Sequence, residues 1–267
     1  MLDPQVLDIM IAAALEAGAA AHVIFRGDHE LTHKKDNSPV TAADHAAEAI
    51  ILRRLGAHFA HIPIIAEEEV AAGRVPVIGQ TFFLVDPLDG TREFIAGRPE
   101  FTVNIALVRD RVSVLGVVYA PATGDFFGAD VAAAQAFYAA GAPERADVGH
   151  RVPISVRRAP AAGVTVVASR SHPNPKMSAY LTGYKVADTV SIGSSLKFCL
   201  VARGDADLYP RLGTTMEWDT AAGHAVLLAA GGAVIAADGS PLLYGKAGFS
   251  NPWFVAAGSV APLPLTA

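Results

Sequence analysis

A mixed α and β chain with two unlike halves is what this sequence predicts. Residues 1–160 read as an α+β half built on an antiparallel sheet, and residues 161–267 as an α/β half that completes the site. Three observations carry that reading. Two helical patterns come first and are followed by a run of short apolar strands. A stretch rich in Pro, Arg and Ala, 151–163, then breaks the pattern. Beyond it strand and helix alternate, the signature of an α/β layout.

The elements follow in order. Asp3-Pro4 reads as an N-cap with proline in the first turn, opening a helix over 4–25. A second helix runs over 41–59, with Ala47, Ile51, Leu55 and Phe59 recurring every four residues as one buried stripe. Strands are expected at 62–66, 81–86, 101–108 and 112–120, the last two joined as a hairpin through Arg109-Asp110-Arg111. After the break come a strand at 164–168 and helices at 175–182 and 195–203. A strand at 206–209, a helix at 220–230 and a strand at 233–237 complete the pattern.

With 267 residues, the chain is long enough for a substantial core. A hydrophobic share of 52% against 18% charged residues places it among compact globular proteins. The net charge of -5 leaves no broad basic footprint for a nucleic-acid polymer, so any phosphate must be recognised locally. Cys199 is the sole cysteine, which excludes an internal disulfide and fits a reducing cytoplasm. Asp8, Glu16 and His22 interrupt the apolar N-terminal stretch, so no integral membrane segment is expected.

The chemistry is concentrated in Asp86-Pro87-Leu88-Asp89-Gly90-Thr91. An apolar strand is expected to stop at Asp86-Pro87, because proline cannot donate to a ladder. Asp-Pro and Asp-Gly are also ordinary turn dipeptides, and a plain chain reversal would use the same residues. Two acids on one loop nevertheless repel unless a cation lies between them, and hard oxygen donors suit Mg²⁺. Glu67-Glu68-Glu69 follows a second short strand, and Asp44 and Asp219 are further acids near helix starts. Cys199 lies in an apolar run, not an anion-binding loop, which argues against a cysteine phosphatase. The two-apart aspartates of an aspartyl-phosphate enzyme, a P-loop and a His-rich zinc pattern are all missing. Metal-activated water remains.

The ordered set of motifs resembles the inositol monophosphatase superfamily. It comprises Asp86-Pro87-Leu88-Asp89-Gly90-Thr91 and Trp218-Asp219-Thr220-Ala221-Ala222-Gly223. Asp36-Asn37-Ser38-Pro39-Val40-Thr41-Ala42-Ala43-Asp44, Glu93-Phe94-Ile95 before Phe101-Thr102-Val103-Asn104-Ile105-Ala106-Leu107, and Gly193-Ser194-Ser195-Leu196-Lys197-Phe198 bring it nearest to the bacterial 3'(2'),5'-bisphosphate nucleotidases of the CysQ type. The resemblance implies a layered αβαβα sandwich, a lithium-sensitive enzyme, two or three Mg²⁺ ions, and a small phosphorylated nucleotide as substrate. It also implies a homodimer, and a cytoplasmic protein that can associate with the inner face of the membrane.

By that resemblance Glu67 is a ligand of the activating metal, with Glu68 behind it and Glu69 in solvent. Asp86 bridges two metals, the Leu88 carbonyl completes one site, and Asp89 and Asp219 reach the second. Thr91 paired with Asp44 positions and deprotonates the attacking water. Asp44 equally suits a capping box with Thr41, and Asp219 a helix start. Glu67, Leu88, Asp89, Gly90, Thr91, Gly193, Ser194, Lys197 and Asp219 are the expected substrate contacts. Gly90 and Thr91 act through backbone N–H groups, and Lys197 is assigned to a second phosphate. Gly193-Ser194-Ser195 equally suits a serine N-cap beside a surface lysine. His172 suits either a nucleotide contact or a solvated loop, and Tyr209-Pro210-Arg211 has no assigned role. The function implied is removal of the 3'-phosphate of adenosine 3',5'-bisphosphate, giving AMP, with 3'-phosphoadenylyl sulfate as a second substrate. An inositol-1-monophosphatase is the nearest alternative, a fructose bisphosphatase is third, and a non-catalytic nucleotide sensor represents another class.

Overall fold

A computed structural model of the chain describes residues 5–27, 31–33, 39–141, 147–169 and 175–265. The expectation for His172, and the Asp36-Asn37-Ser38 part of one motif, lie outside these residues. The first half contains α1 (Gln5–Phe25), β1 (Leu31–His33), β2 (Pro39–Thr41), α2 (Ala42–His58), β3 (Ile64–Ala66) and α3 (Glu67–Ala71). It continues through β4 (Thr81–Asp89), α4 (Thr91–Ile95), β5 (Thr102–Arg109), β6 (Val112–Ala120), β7 (Asp125–Asp130), β8 (Gln135–Ala140) and β9 (Val152–Pro153). The second half holds β10 (Val164–Ser169), α5 (Pro175–Leu181), β11 (Val186–Ile192), α6 (Leu196–Arg203), β12 (Leu208–Arg211), α7 (Glu217–Ala229), β13 (Ala233–Ala236) and β14 (Phe254–Ala257).

Strands β3 to β9 form a seven-stranded sheet in sequential order, and a five-stranded sheet runs β11-β10-β12-β14-β13. Side chains alternate along β4. Phe83 and Val85 pack toward α1 and α2, while Phe82 and Leu84 pack toward Phe198, Trp218 and Val226 of α6 and α7. Both faces are therefore covered, and the strand reads as a continuous apolar run. Helices α6 and α7 lie between the two sheets. Met177, Tyr180 and Leu181 of α5 cover the outer face of the five-stranded sheet over Val164, Val166 and Leu208. The layers run helix, sheet, helix, sheet, helix, as expected.

Several elements differ from the sequence reading. The strand at 81–86 does not stop at Pro87 but continues to Asp89, with its register to β5 shifting between Asp86 and Asp89. A proline is tolerated where the ladder breaks, since no N–H is needed at that point. The first sheet is not wholly antiparallel, because β3 pairs parallel with β4 through a crossover containing α3. The second is mixed as well: β10 is parallel to β11 and β12, whereas β14 runs antiparallel to β12 and β13. The expected hairpin after β5 is present, with Asp110 at φ 49° and Arg111 at φ 67°. A two-residue turn needs positive φ at both positions to follow the strand twist. Helix α1 is 21 residues long and apolar enough to cross a bilayer by length and composition, which the sequence reading did not anticipate. Met10, Ile11, Ala14 and Ala17 on it are nonetheless buried in the core against β5 and β6.

Candidate active site

The register break in β4 turns Asp86, Leu88 and Asp89 into one rim. Asp86 is 1% exposed and accepts the Leu88 N–H at 3.0 Å, folding the strand end back on itself. Gly90 follows at φ 97°, a left-handed conformation that glycine adopts without strain, and α4 then starts at Thr91. Glu67 is the first residue of α3, delivered by the neighbouring strand β3, and Asp219 is the third residue of α7. These elements converge on one cavity of about 300 Å³. Its lining includes Glu67, Asp86, Leu88, Asp89, Gly90, Thr91, Gly193, Ser194, Lys197 and Asp219.

Asp44 lies behind this wall. Its Oδ2 accepts the Thr41 N–H at 2.8 Å and the Thr41 hydroxyl at 2.7 Å, and the Thr41 hydroxyl accepts the Ala43 N–H at 3.1 Å. The capping box is therefore real. Its other oxygen, Oδ1, lies 3.5 Å from the Thr91 hydroxyl, which is 3.3 Å from the Leu88 carbonyl. One carboxylate serves the helix with one oxygen and faces the cavity-lining threonine with the other.

The acids are electrostatically frustrated. Burial pushes the Asp86 carboxyl well above its usual range, and Glu67, Asp89 and Asp219 push it further. Asp219 is raised in the same way, by burial first and then by Asp89 and Glu67. Asp89 is raised by burial but held back by Lys197 and by the Ser195 hydroxyl. Such a set calls for a cation, and its all-oxygen donors match Mg²⁺ chemistry. Among the described residues no three His, Cys, Asp or Glu side chains close to metal-holding geometry as they stand.

The Gly193–Lys197 loop differs from its expected arrangement. Lys197 is buried, not a surface lysine; its Nζ donates to the Ser194 carbonyl and lies 5.5 Å from the Tyr209 ring. Burial lowers its pKa to about 8, with Asp89 the main opposing influence. Its charge thus lies beside Asp89 of the carboxylate cluster. Gly193 is needed for close approach: a Cβ there would lie 2.8 Å from both the Glu100 carbonyl oxygen and Glu93 Cγ. Ser194 has φ 55°, an uncommon conformation for a non-glycine residue.

Ser195 does not cap α6 with its side chain. Its hydroxyl instead lies 3.0 Å from Asp89 Oδ2 and 2.6 Å from the Asp219 carbonyl, and accepts from Asn104 Nδ2 at 3.0 Å. This junction of β5, β4, α7 and α6 was missed in the sequence. A polar Asn104 inside an otherwise apolar strand was the available signal. Arg211, Thr215 and Ser169 also line the cavity without having been anticipated there. Cys199 is fully buried, as a core thiol should be.

Comparison with known proteins agrees with this geometry. The family model described as "Inositol monophosphatase family" matches residues 3–259. The chain is 44% identical over 251 residues to the 3'(2'),5'-bisphosphate nucleotidase CysQ of Escherichia coli strain K12, covering 93% of this chain and 98% of that protein. The crystal structure of CysQ from Bacteroides thetaiotaomicron superposes with a TM-score of 0.79 at 37% identity, covering 95% of this chain and 98% of that one. An inositol monophosphatase from Anabaena superposes with a TM-score of 0.73 at 30% identity, covering 96% of this chain and 91% of that one. With the layered fold and the carboxylate-lined cavity beneath it, this chain belongs to the inositol monophosphatase family.

Proposed function

We propose that the protein is a Mg²⁺-dependent phosphomonoesterase that removes the 3'-phosphate of adenosine 3',5'-bisphosphate to give AMP, and accepts 3'-phosphoadenylyl sulfate. The observation that carries the chemistry is the convergence of Glu67, Asp86, Asp89 and Asp219 on the cavity that the Thr91–Asp44 pair borders. The substrate is taken from the nucleotidase names of the relatives at 41–45% identity.

Glu67, Asp86, Asp89, Asp219 and the Leu88 carbonyl would hold two or three Mg²⁺ ions. When bound, these supply the positive charge that a phosphate dianion and an approaching hydroxide both require. The protein's own part is positioning. The Thr91 hydroxyl accepts a proton from the attacking water while passing its own to Asp44 Oδ1. Asp44 is kept from rotating by the two hydrogen bonds its Oδ2 accepts from Thr41. Gly90 and Thr91 offer backbone N–H groups to phosphate oxygens, Gly193 and Ser194 border the substrate, and Lys197 adds charge beside Asp89. His172 remains a proposed nucleotide contact.

The 30% identical Anabaena structure favours inositol 1-phosphate as the second reading. A nucleotide sensor would have no use for the Thr91–Asp44 pair. One assay separates these readings: phosphate release from adenosine 3',5'-bisphosphate, inositol 1-phosphate and fructose 1,6-bisphosphate, with Mg²⁺, with EDTA and across a Li⁺ titration. Fastest turnover of the nucleotide, dependent on Mg²⁺ and inhibited by Li⁺, is expected. Preference for inositol 1-phosphate would overturn the substrate, and turnover in EDTA would overturn the mechanism. We further infer a cytoplasmic homodimer acting in sulfur metabolism, which sizing of the purified protein and fractionation of cells would test.

A further inference from the structure

Asp219 enters the cavity from the first turn of α7, and that turn is held from outside the cavity by residues 244–251. The Glu217 carboxylate is fully buried and accepts the Gly245 N–H at 2.7 Å and the Lys246 N–H at 2.9 Å. Lys246 Nζ pairs with it at 2.6 Å. The segment then brings Asn251 back against the helix start. The Asn251 N–H donates to the Thr215 carbonyl at 2.8 Å. Its side-chain Nδ2 donates to the Met216 carbonyl at 2.7 Å and to the Thr220 hydroxyl at 3.0 Å, and the Thr215 hydroxyl lies 3.3 Å away. Asn251 is 6% exposed, and its Oδ1 is buried without a hydrogen-bond partner.

Asp219 closes on the same residue. Its Oδ2 accepts the Met216 N–H at 2.8 Å, and its own N–H donates to the Met216 carbonyl at 3.2 Å. The rotation of the Asp219 carboxylate is therefore set by where the Met216 backbone lies, and Asn251 fixes that backbone from the far side. A carbonyl only accepts, so Met216 demands the amide nitrogen of Asn251 and leaves Oδ1 facing no donor. An orphaned buried acceptor costs the fold stability, and an apolar side chain of the same size would avoid that cost. We infer that Asn251 is a positioning residue for the metal site: it holds the Met216 backbone so that Asp219 presents its carboxylate to the cation. The inference rests on the Mg²⁺-dependent reading above, and it gives the orphaned amide oxygen a reason that stability does not.

Asn251→Leu keeps the volume and the backbone N–H to Thr215 while removing both the Nδ2 donor and the orphaned acceptor. Its affinity for Mg²⁺, titrated alone by calorimetry, should fall about 10- to 100-fold, and phosphate release should require correspondingly more Mg²⁺. The unfolding midpoint in EDTA should stay close to that of the unmodified protein. Asn251→Ala removes the same donor and should show the same loss of affinity, so the test stands even where the leucine does not fold. In an Asp219→Asn background, adding Asn251→Leu should cost no further affinity, because the carboxylate it positions is already gone. Unchanged Mg²⁺ affinity in both variants would overturn the inference, and so would an equal further loss in the Asp219→Asn background. If the unmodified protein binds no Mg²⁺, the metal reading falls and takes this inference with it. If it binds Mg²⁺ but leaves adenosine 3',5'-bisphosphate intact, only the substrate reading falls, and the titrations still decide the role of Asn251.

Discussion

The two walls of the cavity come from different halves of the chain and are built on opposite principles. Glu67, Asp86 and Asp89 come from the seven-stranded sheet and form a wall of crowded acids that raise one another's pKa. Ser194, Lys197, Tyr209, Arg211 and Thr215 come from the second half and form a wall of hydroxyls and two cations, to which α7 adds one acid, Asp219. The first holds charge that is costly to the empty protein, as a site for a strongly bound cation must. The second holds mostly neutral donors and cations, with Arg211 tied through Nη2 to the Thr214 carbonyl. The carboxylates proposed to hold metal thus come mainly from the first half, with Asp219 contributed by α7 of the second, across a proposed division at about residue 160.

The largest expected effect tests the acidic wall. Asp86→Asn should abolish phosphate release on every substrate alike, yet raise the thermal midpoint of EDTA-treated protein. The sign follows from the raised pKa: a carboxyl held above its unfolded value is destabilising once pH passes that value, and asparagine removes the cost. Each kcal/mol recovered should appear as about 2–4 °C. A lower midpoint would show that Asp86 stabilises the empty fold and would break the contrast between the walls.

Next comes the pair behind the wall. Thr91→Ala or Asp44→Asn should cut kcat by about 10²- to 10⁴-fold, with Mg²⁺ affinity by calorimetry little changed. Should Asp44→Asn lower the unfolding midpoint but spare kcat, Asp44 belongs to the helix cap alone.

Ser195→Ala should cost less, about fivefold in kcat/KM from one hydrogen bond, and should act on all substrates because it serves Asp89. A change confined to one substrate would move Ser195 to the second wall.

The smallest effect concerns Glu48, one turn beyond Asp44 on α2. It is 4% exposed, accepts the Glu68 N–H at 2.8 Å next to Glu67, and burial pushes its carboxyl up to about 7. Its cost to stability is absent well below the unfolded pKa, grows as pH rises toward 7 and is constant above. Glu48→Gln keeps an acceptor for that N–H, so its urea midpoint relative to the unmodified protein should rise between about pH 5 and about pH 8. A difference independent of pH would place the Glu48 charge in solvent.

Much of this was readable beforehand, for physical reasons. Asp86 and Asp89 stand out because an apolar strand that ends in acids violates the usual patterning of a core. Asp44 was legible as a cap because the box is local, whereas its proposed second role came from the resemblance, and only the structure shows that the other oxygen faces Thr91. Strands β7 and β14 were not legible. Asp125–Asp130 is only six residues with Gly128 inside it, and Phe254–Ala257 only four, too short for periodicity to distinguish. The continuation through Pro87 was missed because tolerance there depends on a register break with β5, which no local signal reveals. The burial of Lys197 was not legible, because the direction of a first-turn side chain depends on what covers it, here Tyr209 and Ser194.

The Ser195 hydroxyl bears on how such enzymes can be recombined. It has one hydrogen, offered to Asp89 or to the Asp219 carbonyl, and one acceptor position taken by Asn104. Those partners lie on β5, at the end of β4 and in α7, so one small group ties loops that are 91 positions apart or more on one side and 24 on the other. A chimera that exchanged the second half for a relative's would inherit its serine but keep the host's asparagine. Substrate preference should therefore transplant between family members only when Asn104 and Ser195 travel as a matched pair. A graft lacking that match should bind the new substrate without turning it over at the donor's rate.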